Sequence, residues 1–323
     1  MKSGTSKEDN YLFNREYTKH NIGLAYFMAT GTVLAWAIGI VIGRGISEVT
    51  PPIGLSFWRW FLPTLCLAPW AIPKLKKEGL ILIKTWKPIC AMGFFMIGSS
   101  ALSMLSVNYT TAINVSLVNA GQPLTTAVIA WIIYRDRLTP IQTLGIIFGA
   151  IGILVMVSRA DLSVLQSLKF NLGDLIMFIA IIGYGSYANT LRRVPKELSF
   201  IVVLFSVFGA GCIGLLPFYF YESFTYMTMP TNWHTVMWVL VLAILTSLIP
   251  TYCWNLAVSI VGVNRSAIFV NLIPVFGAIL AITFLNEELF IYHIIGATMI
   301  FFGILLVIKG HKSKSSPDNA NAT

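Results

Sequence analysis

The sequence predicts an all-α integral membrane protein: ten transmembrane helices arranged as two inverted five-helix repeats. Three observations point there. Hydrophobic residues make up 56% of the 323-residue chain and charged residues only 11%, with a mean hydropathy of +0.77. Soluble domains carry about 25% charged residues, so this chain has too little polar surface to face water. Apolar stretches of about 20 residues, enough to cross a hydrocarbon core of about 30 Å, recur along its length. Finally, the end of each half carries the same spacing of proline, leucine and glycine.

The predicted spans of the first half are 23–43, 52–72, 88–108, 112–134 and 140–158. Those of the second are 173–191, 199–221, 233–257, 264–285 and 289–308. Residues 1–22 form a polar N-terminal segment, 23–158 the first repeat, 159–172 a connecting loop, 173–308 the second repeat and 309–323 a polar tail expected to be disordered. The first span is too long for a signal-peptide core, so no cleaved signal is expected. The NYTTA sequence at 108–112 suits a tight turn at a membrane face.

The net charge of +9 is unevenly distributed. With the N-terminus in the cytoplasm, 18 of the 22 lysines and arginines fall in cytoplasmic segments, among them Lys74, Lys76, Lys77, Arg135, Arg137, Arg192, Arg193 and Arg265. Only Arg44, Arg159 and Lys169 fall on the opposite face, and Arg59 lies within a span. This is the positive-inside bias, and it predicts cytoplasmic termini. It also accounts for the basic charge as topology, with no nucleic-acid partner implied.

Pro123 and Pro274 are 151 residues apart, and so are Leu138 and Leu289, Gly145 and Gly296, and Gly152 and Gly303. Upstream, Trp36 lies eight residues before Arg44 and Tyr184 eight before Arg192. Five spans per half is an odd number, so the second half enters the membrane from the opposite side. Inverted repeats of this kind build transporters whose substrate site lies near midplane, where the halves meet. The ladder glycines lie seven apart on one helix face and allow close helix approach.

These residues resemble the EamA family of the drug/metabolite transporter superfamily. The first half carries LAWAIGIVIGR and PPIGLSFWRWFLP, the second GYGSYANTLRR and NLIPVFGAILAITFLNEELFIYHIIGATMIFFG. The resemblance implies two inverted five-helix units around a central cavity, with export of amino acids or other small metabolites typical. In one respect the chain departs from the family pattern. A glutamate just before the ladder leucine is kept as Glu288, whereas the first half has Arg137.

Candidate site residues follow from polarity placed in hydrocarbon. Arg59 is the one formal charge well inside a predicted span. A central arginine costs about 2.5–3.5 kcal/mol on insertion scales, so it either contacts an anionic group or bonds neighbouring helices and the interface. Amides in a bilayer also need partners. Asn114, Asn119, Gln122 and Asn271, with Pro123 and Pro274, are the expected cavity cluster, because a proline bend frees carbonyls to line it. Asn108, Asn189 and Asn255 are further intramembrane amides. Trp36, Tyr184, Tyr187 and Trp254, on presumed lining helices, can stack on cargo. No Asp or Glu falls at mid-span; Asp174 and Glu222 lie near outer ends.

Cys66, Cys90, Cys212 and Cys253 read as small apolar packing residues. The histidines are too scattered for a metal site, and no phosphate-binding glycine loop is present. No cofactor, metal or catalytic residue is expected. The sequence therefore predicts a non-enzymatic, multi-pass plasma (inner) membrane protein in contact with lipid. It would be a secondary transporter exporting amino acids or related small neutral or zwitterionic metabolites by alternating access. The alternatives are a nucleotide-sugar or other metabolite exchanger of the same superfamily, or a non-transporting lipid-handling protein.

Overall fold

The computed structural model describes residues 22–135, 138–161, 170–195, 197–261, 266 and 269–314. Residues 1–21, Arg137, Lys169, Lys196, Arg265 and the end of the tail lie outside the described residues, as does the start of the ninth predicted span. Among the described residues there are helices and no strand. They are α1 (Ile22–Gly45), α2 (Pro52–Lys84), α3 (Trp86–Ser106), α4 (Ala112–Asn119), α5 (Gln122–Tyr134) and α6 (Pro140–Val157). In the second half come α7 (Leu172–Thr190), α8 (Phe200–Thr225), α9 (Trp233–Leu240), α10 (Ile249–Val261), α11 (Ile273–Leu285) and α12 (Ile291–Lys314). A π-helical stretch, Val241–Leu248, joins α9 to α10.

Eight helical runs are long and apolar enough to cross a membrane. The two that differ from the predicted ten are instructive. The second predicted span lies inside α2, a 33-residue helix whose far end is cationic. The ninth is represented by α11, whose 13 residues are too few to cross alone.

Two segments predicted to be non-helical are helical. The lysine-rich stretch after 72, expected as a loop, continues α2 to Lys84. Lysine, leucine and glutamate are good helix formers. Leu75, Ile81 and Leu82 there pack against a buried cluster, while Lys74, Lys76, Lys77 and Lys84 are exposed. Similarly, α12 runs through 309 to Lys314, where a disordered tail was expected to begin.

The ladder positions organise the bundle. α6 and α12 lie against one another with Gly145 facing Gly303 and Gly152 facing Gly296, so the two helices run antiparallel. A Cβ on Gly145 would fall 2.5 Å from the Gly303 carbonyl, and one on Gly303 would fall 2.5 Å from that of Gly145. Only glycine permits this approach, which maximises dispersion between apolar helices. α5 and α11 also match: both carry proline in the first turn and end in a left-handed residue, Arg135 at φ 56° and Asn286 at φ 53°. The amide of each cap bonds back to the carbonyl of Ala130 or Ala281, closing the helix end.

α2 and α8 cap each other. Glu222 of α8 accepts from the Ile53 and Gly54 amides at 3.1 and 2.7 Å, at the start of α2. Glu78 of α2 accepts from the Ser199 amide at 2.8 Å, at the start of α8. A carboxylate there satisfies orphan N–H groups and faces the positive end of the helix dipole.

Candidate functional site

α4 and α5 form one membrane-crossing run interrupted at Ala120 and Gly121. Thr111 starts α4 by accepting from the Asn114 amide at 3.2 Å. Pro123, in the first turn of α5, has no N–H to offer the Asn119 carbonyl four residues earlier. At Gly121 a Cβ would sit 2.8 Å from Ile153 Cδ1. Proline and glycine together therefore make the break.

Polar atoms collect there without partners. Ser116 Oγ, Asn119 Oδ1 and Asn271 Oδ1 are buried and accept no hydrogen bond among the described residues. Ser116 stands opposite Gly277 of α11, where a Cβ would overlap its hydroxyl. Asn271 lies just before α11, whose Pro274 again leaves a carbonyl without its usual donor. Gln122 is half-buried, and its side chain makes no hydrogen bond among the described residues. The Trp36 and Trp254 rings sit 5.3 Å apart and pack against the same apolar cluster as Leu272 and Phe276.

Arg59 belongs to a second group, joining α2, α3, α7 and the π-helical stretch. It is 8% exposed. Its Nε donates to Ser247 Oγ at 2.6 Å and its Nη2 reaches the Thr246 carbonyl at 3.5 Å. That carbonyl is four residues before Pro250, so the guanidinium stands in for the missing backbone donor. Tyr184 lies within electrostatic reach of Arg59 and near Ser100, which accepts from Trp60 Nε1 at 2.8 Å. No carboxylate pairs with Arg59 among the described residues. Tyr187 packs beside this group in the apolar cluster of Phe57, Trp60 and Phe208.

Asn114 is placed elsewhere, at the end of the bundle where α3 finishes and α4, α7 and α12 begin. Its Nδ2 donates to Asp174 Oδ1 and Oδ2 at 3.1 and 3.2 Å, and its Oδ1 lies 2.8 Å from His293 Nε2. Thr110 Oγ1 donates to Asp174 Oδ1 at 2.6 Å. Close by, Glu287 accepts from the Ala112 and Ile113 amides at 2.8 and 3.0 Å, and Arg44 approaches it at 3.9 Å. The carboxylate that acts at this junction is therefore Glu287, one residue before the Glu288 that the family pattern singles out.

Two apolar grooves, of about 510 and 360 Å³, lie outside these groups. The first is walled by Leu124, Val128, Ile153 and Phe178, between α5, α6 and α7, and suits lipid chains rather than polar cargo.

Comparison with known proteins fixes the family. The model of the EamA-like transporter family matches twice, at residues 23–158 and 171–309. The chain belongs to the EamA-like transporter family. An uncharacterized transporter of Archaeoglobus fulgidus is 26% identical over 281 residues, covering 85% of this chain and 94% of that protein. Two uncharacterized transporters of Bacillus subtilis are similar as well. YyaM is 26% identical over 211 residues, 64% of this chain and 68% of its own. YetK is 23% identical over 307 residues, 91% and 88%. A solved crystal structure shares the fold at a TM-score of 0.55 and 16% identity, covering 90% of this chain and 99% of that one. EamA membership makes this a multi-pass membrane transporter of small molecules, a non-enzymatic activity.

Sequence reasoning missed Thr110, Asp174 and His293 as a group, and Ser100, Thr246 and Ser247 around Arg59. A serine or threonine inside an apolar helix carries no signal of its own, because it can satisfy itself on its own backbone.

Proposed function

We propose that this EamA transporter is a secondary carrier that exports amino acids or related small neutral or zwitterionic metabolites by alternating access. On this reading it has ten spans in two inverted units, 23–158 and 173–308, joined by 159–172. Both termini, 1–22 and 309–323, lie in the cytoplasm, and the protein sits in the plasma (inner) membrane. The 151-residue offset shared by α5 and α11, and the antiparallel α6–α12 contact, support this arrangement.

One observation carries the assignment. Ser116, Asn119 and Asn271 hold buried oxygens with no partner among the described residues, beside two proline-marked helix breaks. An unsatisfied buried acceptor costs about 1–3 kcal/mol, so a site that keeps several is built for a polar visitor. Cargo ammonium or hydroxyl groups would fill them, and Trp36, Trp254, Tyr184 and Tyr187 would flank its apolar part. Arg59, lacking a carboxylate partner among the described residues, suits the cargo carboxylate. A multiply phosphorylated cargo would need more buried cations than this one.

The test is reconstitution in liposomes with a panel of labelled amino acids and other metabolites. Gln122→Ala and Asn271→Ala should insert normally and lose flux. Undiminished flux in both would remove this site.

A further inference from the structure

Three buried side chains at one end of the bundle remain without a role in holding cargo: Asp174, Asn114 and His293. Their relative exposures are 1%, 3% and 2%. They come from α7, α4 and α12, and Asn114 bonds both of the others. Asp174 meets only the neutral donors Thr110 and Asn114 and forms no ion pair among the described residues. The ring of His293 has a defined tautomer. Its Nδ1 accepts from the Phe290 amide at 2.9 Å, so the proton sits on Nε2 and is donated to Asn114 Oδ1.

From this geometry we propose that Asp174, Asn114 and His293 form a proton-binding site that couples proton movement to transport. The proposal rests on the transporter reading above and adds its driving ion. The chemistry follows from donor counting. As a carboxylate, Asp174 accepts from Thr110 Oγ1 and Asn114 Nδ2. When a proton adds to Oδ2, that oxygen becomes a donor facing the Asn114 NH₂, while Oδ1 still accepts from Thr110 and Asn114. The Asn114 NH₂ also donates to Thr110 Oγ1 at 3.1 Å, so the amide either keeps these bonds or rotates to present Oδ1 to the acid. The rotated amide brings NH₂ against the His293 Nε2–H. The neutral ring could accept there only with its proton moved to Nδ1, which would displace the Phe290 amide. One proton on Asp174 thus removes one acceptor from Asn114 and shifts the balance away from the hydrogen bond that ties α4 to the start of α12.

α4 also carries two of the proposed cargo contacts. Asn114 and Asn119 are five residues apart on α4, about 7.5 Å along its axis. The proton site and the unpartnered oxygens of Ser116 and Asn119 therefore share one two-turn helix. Among the described residues the other charged or titratable groups facing the site are few. Arg159, after α6, lies within electrostatic reach of Asp174 and His293 and forms no ion pair with Asp174, and the Tyr292 ring of α12 lies 4.1 Å from that of His293, tilted by 50°. Glu287, with Arg44 of α1, is committed to the N-terminus of α4.

Two measurements on the full chain test this separately. Infrared difference spectra of the purified protein between acid and alkaline pH read proton uptake with no cargo present. A protonated-carboxyl band should appear, vanish in Asp174→Asn, survive in Asp174→Glu and shift its midpoint in Thr110→Val and His293→Gln. In liposomes, an equimolar labelled amino-acid mixture is followed in exchange and under an imposed pH gradient. A gradient of about one pH unit can sustain about a tenfold concentration ratio at one proton per cargo. Asp174→Asn should keep exchange and lose that accumulation. Accumulation equal to wild type in Asp174→Asn, or a carboxyl band indifferent to all four substitutions, overturns the proposal. Should Asp174→Asn fail to insert, an unmoved midpoint in both Thr110→Val and His293→Gln does the same. Absence of any exchange in wild type, with the band present and assigned to Asp174, would instead sink the transporter reading and leave the proton site standing.

Discussion

Each ladder has a proline rung and two glycine rungs, and the two kinds of rung do opposite things. At the glycines, α6 and α12 are continuous and touch backbone to backbone. At the prolines, α4–α5 and the entry to α11 are interrupted, and polar atoms are left over. The first region is a dry seam that gains from contact everywhere along it. The second gives up hydrogen bonds that an unbroken helix would have made. In one chain, then, the same 151-residue spacing encodes both a clasp and a gap, and the gap is where the proposed cargo site lies. Proline alone does not explain the gap. α2 runs unbroken through Pro63, Pro69 and Pro73; the interruption at 120–121 combines a first-turn proline with Gly121 and upstream amides.

Gly145→Leu attacks the clasp and should have the largest effect. Its first side-chain carbon already collides with the Gly303 carbonyl, and overpacking of a rigid contact costs about 3 kcal/mol or more. Detergent thermal-melt and size-exclusion profiles should show loss of the monodisperse folded species. A variant as stable as wild type would mean that the seam is not close-packed. Pro123→Ala attacks the gap. It restores a donor for the Asn119 carbonyl at a position where proline is tolerated, so stability should change by less than about 1 kcal/mol. Flux should nonetheless fall sharply, and retained flux would show that the break is incidental.

Ser116→Ala sharpens the comparison. Removing a buried hydroxyl oxygen that has no partner among the described residues should leave stability equal or raise it by about 1 kcal/mol while lowering transport. A clear loss of stability would mean that a bond to this oxygen holds the fold. For transport, Glu222→Gln is the smallest change. It keeps one acceptor at the start of α2 but turns the other oxygen into an NH₂ facing a backbone amide, costing about 1–3 kcal/mol in the melt with flux unaffected.

Much of this was legible in the sequence. Hydropathy marked most spans, and the proline–glycine ladder located both the seam and the interruption, because those residue types act through backbone geometry alone. Charge pattern was less informative about helix ends: the lysines after 72 marked a membrane face but hid the continuation of α2, since an exposed helix and an exposed loop look alike to hydropathy. Asn114 was picked out as an intramembrane amide, yet its partners Asp174 and His293 lie 60 and 179 residues away. Nothing local could have paired them. The same holds for Arg59, whose bonding to Thr246 depends on Pro250 in another helix.

The mutual caps of α2 and α8 carry a mechanical consequence. Each helix is pinned at its beginning by an acidic side chain of the other, one pin at either end of the pair. Sliding, or turning about its own axis, would strip a charged acceptor from backbone donors at both ends together. These two helices therefore form a stiff frame, and under the proposed alternating access any rocking would be hinged elsewhere. Spin labels placed one on each should report a distance that stays constant through the transport cycle.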